Sequence, residues 1–137
     1  METAVDRPAE DPGLAVLRLS GELDASNFQS VIDTAEGLYG SGARRLVVDL
    51  SRVSFMSSSG LVALHAVALL FRGQPPPDPE AGWDAIHRLE LDVDGGERVA
   101  EVKLAGPQAN VGRVLDRTGL ARYFEIHPDR SAAIASF

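Results

Sequence analysis

The chain contains no cysteine, which excludes disulfides, thiolate metal sites and cysteine nucleophiles. Aromatic residues make up only 6 %, and the formal net charge is −7. With no basic stripe interleaved with aromatics, nucleic acid is not an expected partner. No apolar run reaches the roughly 18 residues that a membrane span needs; the longest covers residues 61–71. The first residues, Met1-Glu2-Thr3-Ala4-Val5-Asp6-Arg7, carry charge where a signal peptide carries an apolar core. A cytoplasmic protein without a membrane partner is the expectation. The enzyme signatures Gly-x-Ser-x-Gly, the Walker loop, Gly-x-Gly-x-x-Gly and His-Glu-x-x-His are all missing. His65, His87 and His127 fall in three separate elements, without paired carboxylate spacing. Neither a metal site, a cofactor nor a serine–histidine couple is therefore expected, and the chain does not read as an enzyme.

What is present is ordinary for one globular domain: 45 % hydrophobic and 24 % charged residues in 137. A short strand is expected at residues 3–6, a turn at Asp11-Pro12-Gly13, and a strand at residues 14–19. Ser26 and Gln29 have the spacing of a capping box. After them Phe28, Val31, Ile32, Ala35, Leu38 and Tyr39 form one face of a helix that Gly40-Ser41-Gly42 stops. Leu46-Val47-Val48-Asp49-Leu50 reads as a strand buried on both faces. Residues 61–71 form an apolar helix in which His65 reads as a hydrogen-bonded core or groove residue.

From Arg72 to Asp84 the texture changes. Gly73-Gln74-Pro75-Pro76-Pro77-Asp78-Pro79 is incompatible with helix or central strand and reads as a surface loop. Leu89, Leu91 and Val93 alternate with charges, Asp94-Gly95-Gly96 is a hairpin-type turn, and residues 99–104 alternate again, which predicts a β-hairpin. A third helix follows Gly106-Pro107, with Gly119 ending it and Leu120 packing beyond. A last strand covers residues 123–126, and Pro128 suits the first turn of a final helix. Strands alternating with about four helices predict an α/β domain over 1–137 with a mixed, largely parallel sheet.

Between the central strand and the apolar helix lies Phe55-Met56-Ser57-Ser58-Ser59-Gly60-Leu61. Serines at a helix start accept from orphan N–H donors. A phosphate there is tolerated by the helix dipole, while the surface it presents changes completely.

With Leu19-Ser20-Gly21-Glu22-Leu23-Asp24, the central strand, this turn and Val114-Leu115-Asp116-Arg117-Thr118-Gly119-Leu120 in this order, the chain resembles the STAS domains of bacterial anti-sigma factor antagonists. The family turn reads Asp-Ser-Ser-Gly, and its first serine is phosphorylated by a partner anti-sigma kinase. Aligned on Gly60, that serine is Ser58, and Ser57 replaces the aspartate. The resemblance implies a transcription-regulating phosphoprotein of bacterial stress signalling. Unphosphorylated, it would sequester an anti-sigma factor that is also its serine kinase; phosphorylated on Ser58, it would release it, and a phosphatase would reset it. The implied contact surface is Met56, Ser57, Ser58, Ser59 and Gly60, the exposed side of the second helix near His65, and the loop 21–27 with Asp24. The alternative is an unphosphorylated structural STAS subunit of a larger signalling assembly, which size in solution would distinguish. Residues 74–96 are an insert relative to compact members.

Overall fold

In the computed structural model the described residues are 2–74, 83–95 and 98–137, with backbone only for 83–86. In chain order they form β1 (Glu2–Asp6), β2 (Leu14–Leu23), α1 (Phe28–Gly40), β3 (Arg45–Met56), α2 (Ser58–Phe71) and α3 (Trp83–Asp94). Then come β4 (Val99–Ala105), α4 (Ala109–Thr118), α5 (Leu120–Tyr123), β5 (Phe124–His127) and α6 (Arg130–Ala135). The strands make one sheet in the order β1-β2-β3-β4-β5. β1 pairs antiparallel with β2, Val5 opposite Leu17; the other three pairings are parallel.

The period-2 alternation decides which face each side chain serves. Ala15, Leu17 and Leu19 on β2, Leu46, Val48 and Leu50 on β3, and Val102 and Leu104 on β4 turn toward α1, α2 and α4, making the main core. Their alternates Leu14, Val16, Val47 and Ala105 form a smaller cluster under Ala133, Ile134 and Phe137. Burial on both faces explains why the middle strands read as continuous apolar runs. The lid over the second face is held by charge as well. Arg130 donates to Asp6 at 2.6 Å and to Asp49 at 3.3 Å. Lys103, 4 % exposed, donates to the Ser136 carbonyl at 2.9 Å and its hydroxyl at 2.7 Å. Asp49 sits below the ordinary carboxylate range: burial pushes it up, but the Ser51 hydroxyl and amide and then Arg130 outweigh that.

The single mixed, largely parallel α/β sheet agrees with expectation, as do the strand at the N-terminus and the α1 face. Gly119 closes α4 in the left-handed region at φ 86°. The capping box does not form. Asn27, not Ser26, occupies the N-cap of α1, and the Ser26 hydroxyl is spent on Asp24 at 2.6 Å. Asp129, rather than Pro128, opens α6, accepting from the Ala132 amide at 2.8 Å.

The predicted hairpin is the larger error. Its first arm is the helix α3, so six helices appear among the described residues, α3 and the short α5 being the two beyond the expected four. Leu89 and Val93, four apart, face the core, whereas Leu91 is 58 % exposed. An outward-facing leucine between two inward-facing residues imitated strand alternation. Residues 75–82, which hold most of the proline-rich stretch, and the second glycine of the predicted turn lie outside the described residues.

Candidate functional site

β3 outruns its neighbour. Its pairing with β4 ends at Asp49, and side-chain amides then take over the free edge: Gln108 donates to the Ser51 carbonyl at 3.1 Å and Asn110 to that of Ser54 at 2.6 Å. On the other side β2 follows β3 up to Leu23–Met56, and the Ser57 amide donates to the Leu23 carbonyl at 2.9 Å. The turn thus stands at the carboxyl end of the sheet, held from both flanks.

Ser57 is the N-cap of α2, with extended backbone. Its hydroxyl oxygen is buried, makes no cap hydrogen bond and has no partner among the described residues. Ser58 follows as the first helical residue and is exposed; Ser59 is half-buried; Met56 and Gly60 are buried. The first N–H groups of α2 lack intrahelical acceptors, so the exposed Ser58 hydroxyl sits where negative charge is favoured by about 0.3–1 kcal/mol. Gly60 is a packing requirement. A Cβ there would lie 2.7 Å from Met56 Cγ and 3.0 Å from Leu23 Cγ.

Asp24 lies on the neighbouring loop as a turn former. Its Oδ1 accepts from the Ser26 amide at 2.9 Å, and its own amide donates to Asn27 Oδ1 at 3.0 Å. The Ser26 hydroxyl, then the Ser26 amide, hold its carboxyl below the usual range.

His65 is not on an exposed side of α2. It is 0 % exposed, because α3 covers that flank of the helix. Its Nε2 lies 2.6 Å from Asp92 Oδ2 on α3, its ring meets Tyr123 edge-on at 5.8 Å, and Nδ1 is buried without a partner among the described residues. Burial lowers its pKa; the Asp92 bond raises it only in part, and the net shift is downward. A neutral ring donating from Nε2 to Asp92 fits this network. The core reading of His65 is the one the geometry matches.

With His65–Asp92 on one side and Val93 packed against Gly119 on the other, α3 stands beside the turn and creates a groove. Ser58 and Leu61 of α2, Leu89, Glu90 and Val93 of α3 and Thr118 of α4 line about 260 Å³ of space. Leu89, Glu90, Val93 and Thr118 were not among the residues expected from sequence; the four-residue spacing of Leu89 and Val93 was the signal available. Among the described residues no group of three or more His, Cys, Asp or Glu is placed to hold a metal ion, and no helix is long and apolar enough to cross a membrane.

A mixed, largely parallel sheet thus presents a hydroxyl-bearing strand-to-helix turn beside a groove with aliphatic walls, the form of a binding surface. The chain belongs to the STAS domain family: the family profile described as "Mlab, STAS domain" matches residues 7–75, from before β2 through α2 and the serine turn. Membership makes it a non-enzymatic binding module. No curated protein matches its sequence. Among solved structures it is similar to an anti-sigma factor antagonist from Mycobacterium paratuberculosis, at 20 % identity over 98 % of this chain and 92 % of that one, TM-score 0.69. It is similar also to the Bacillus cell fate determinant SpoIIAA in its phosphorylated form, at 17 % identity over 98 % of each chain, TM-score 0.56. The murine Solute Carrier 26 family member A9 anion transporter contains a comparable unit, at 16 % identity over 90 % of this chain and 17 % of that one, TM-score 0.61. At these identities the likeness establishes the fold.

Proposed function

We propose that the chain is an anti-sigma factor antagonist switched by phosphorylation of Ser58. In the unphosphorylated state the turn 56–60 and the adjoining groove bind an anti-sigma factor that is also a serine kinase, and sigma factor is set free. Phosphate on Ser58 adds close to two negative charges and a tight hydration shell at the mouth of an apolar groove. A partner seated there must then desolvate that charge or leave, and leaving costs less. The fold itself is undisturbed, since a helix start accommodates the anion. A phosphatase resets the cycle, and the whole takes place in the cytoplasm. The observation that carries this reading is the exposed Ser58 hydroxyl on the first residue of a 14-residue helix, beside that groove.

One observation favours a second reading, an unswitched structural STAS subunit of a signalling assembly: the buried, unbonded hydroxyl of Ser57 stands where the family carries aspartate. Site-mapped phosphorylation of the protein isolated from its own cells, in growth and under stress, separates the two. Phosphate on Ser58 that varies with condition is the expected result, with Ser58→Ala holding the anti-sigma partner in both conditions and Ser58→Asp holding it weakly. No phosphate at Ser58 in any condition, or equal partner binding by both variants, overturns the switch.

A further inference from the structure

The groove at Ser58 owes one wall to α3. Among the described residues six line the groove, and three of these, Leu89, Glu90 and Val93, come from that helix. The other side is Ser58 and Leu61 at the start of α2 and Thr118 at the end of α4. Apart from the two hydroxyls, the described lining is aliphatic, and Glu90 is the one charged group among these described residues. That carboxylate is exposed, and among the described residues no hydrogen bond or ion pair engages it. Its neighbour on the helix differs: Asp92 is committed to His65 at 2.6 Å. Glu90 is thus the free charge among the described lining residues, on a chain of net charge −7.

We infer that α3 is the element that selects the partner, and that the groove takes an amphipathic helix whose apolar anchor is followed by a lysine or arginine that pairs with Glu90. The inference rests on the proposed role of the Ser58 turn as a docking surface and adds the chemistry that surface reads. The space, about 260 Å³, falls below the roughly 300–1,000 Å³ of pockets that enclose a whole small ligand. It suits the anchor side chain of a helix laid across it, the recurring helix-in-groove mode. Aliphatic walls reward that anchor by area, while a carboxylate at the edge of an apolar groove favours a cation beside it and penalises an anion. Positioning is built in. Leu89 is buried, Asp92 is tied to His65, and Val93 sits against Gly119, so the rotation of α3 that aims Glu90 into the groove is fixed from three sides.

The test uses the full chain, isotopically labelled, and two 14-residue helical peptides with the same leucine face, one flanked by lysines and one by glutamates. Amide shifts in a heteronuclear titration report where each binds and how tightly. The expected result is saturable shifts centred on Ser58, Leu61, Leu89, Glu90, Val93 and Thr118 with the lysine peptide, and much weaker binding of the glutamate peptide. Glu90→Gln is expected to weaken the lysine peptide about 2–5-fold and Glu90→Lys roughly tenfold, the scale of exposed charge pairs. Glu90→Lys should also improve the glutamate peptide, which a general loss of folding would not do. Glu36→Gln on α1, which does not line the groove, controls for loss of overall charge and should change nothing. Shifts centred elsewhere, equal affinity for the two peptides, or Glu36→Gln matching Glu90→Gln would each overturn the inference. None of these readouts depends on whether a kinase modifies Ser58 in cells. The switch therefore fails on its own test and the groove on this one.

Discussion

Gly60→Ala is a sharp probe of how the turn is held. Gly60 is the third residue of α2, and an added Cβ would lie 2.7 Å from Met56 Cγ and 3.0 and 3.2 Å from Leu23 Cγ and Cδ2. Met56 is 3 % exposed and Leu23 0 %, so neither has open space to retreat into. Two effects compete. Alanine gains up to about 1 kcal/mol over glycine in a helix interior, less in the first turn. Overpacking a filled core costs about 1–3 kcal/mol. The contact distances decide for the cost, and a net loss near 1 kcal/mol follows, a fall of roughly 2–5 °C in Tm for a domain of this size. Urea unfolding followed by far-UV circular dichroism measures it, with an unchanged m value showing that only stability moved. A double-mutant cycle locates the cause. In a Met56→Ala background the 2.7 Å neighbour is gone, and the cost of Gly60→Ala should shrink by about 1 kcal/mol, the coupling expected for residues in contact. A Gly60→Ala protein as stable as the parent, or one with the same cost in both backgrounds, would refute the argument.

Three further outcomes follow from the same geometry. Gly119→Ala must hold alanine at φ 86° with its Cβ 2.6 Å from Val93 Cγ1; we expect a loss of about 1–3 kcal/mol and faster amide exchange in α3. Unchanged exchange there would mean that Val93 does not dock the helix. Ser57→Ala should cost less than about 0.5 kcal/mol, below the ~1 kcal/mol usual for an N-cap serine, because its hydroxyl makes no bond to lose; a loss above 1 kcal/mol by chemical unfolding contradicts this. His65 has a pKa lowered from 6.5 by burial, so the unfolded chain binds the proton more readily. The stability it contributes is complete above about pH 6.5 and falls as pH drops toward the lowered folded value, at no more than about 1.4 kcal/mol per unit. Unfolding free energies between pH 7 and 5.5 should therefore slope more steeply in the parent than in His65→Gln, and equal slopes would count against the buried neutral ring.

The parts of this molecule that were legible in its sequence are those where local pattern and tertiary role coincide. The β3 run and the α1 face are both locally consistent, with Val31, Ile32, Ala35 and Leu38 buried and Phe28 and Tyr39 half-buried at its ends. Gly119 was legible because only glycine accepts that backbone angle cheaply. The stretch from 89 to 93 was not, since Leu91 breaks the helical stripe while remaining in the helix, and nothing local distinguishes an exposed leucine from a strand residue. His65 was legible as a core residue but not as a buried link to α3, because Asp92, its partner, lies 27 positions away. The groove is harder still. Its walls come from three helices whose approach depends on that link, so Glu90 acquires meaning only once α3 is docked. The Ser58 turn was the exception among the features of the proposed site, because its residue types and spacing form one continuous segment.

The lid formed by α6 has a consequence for how the molecule comes apart. Among the described residues the six of α6, with Arg130 as its ion-pairing end, together with Lys103 and a small apolar cluster, seal the second face of the sheet. The helices around the serine turn belong to the other, much larger cluster. Opening the lid would expose Leu14, Val16, Val47 and Ala105 while leaving the face that carries the serine turn intact, so local opening there is separable from global unfolding. Protection against solvent exchange would be lost first at residues 130–135, in a partly open species that keeps the Ser58 turn folded and now also bares a strip of apolar sheet.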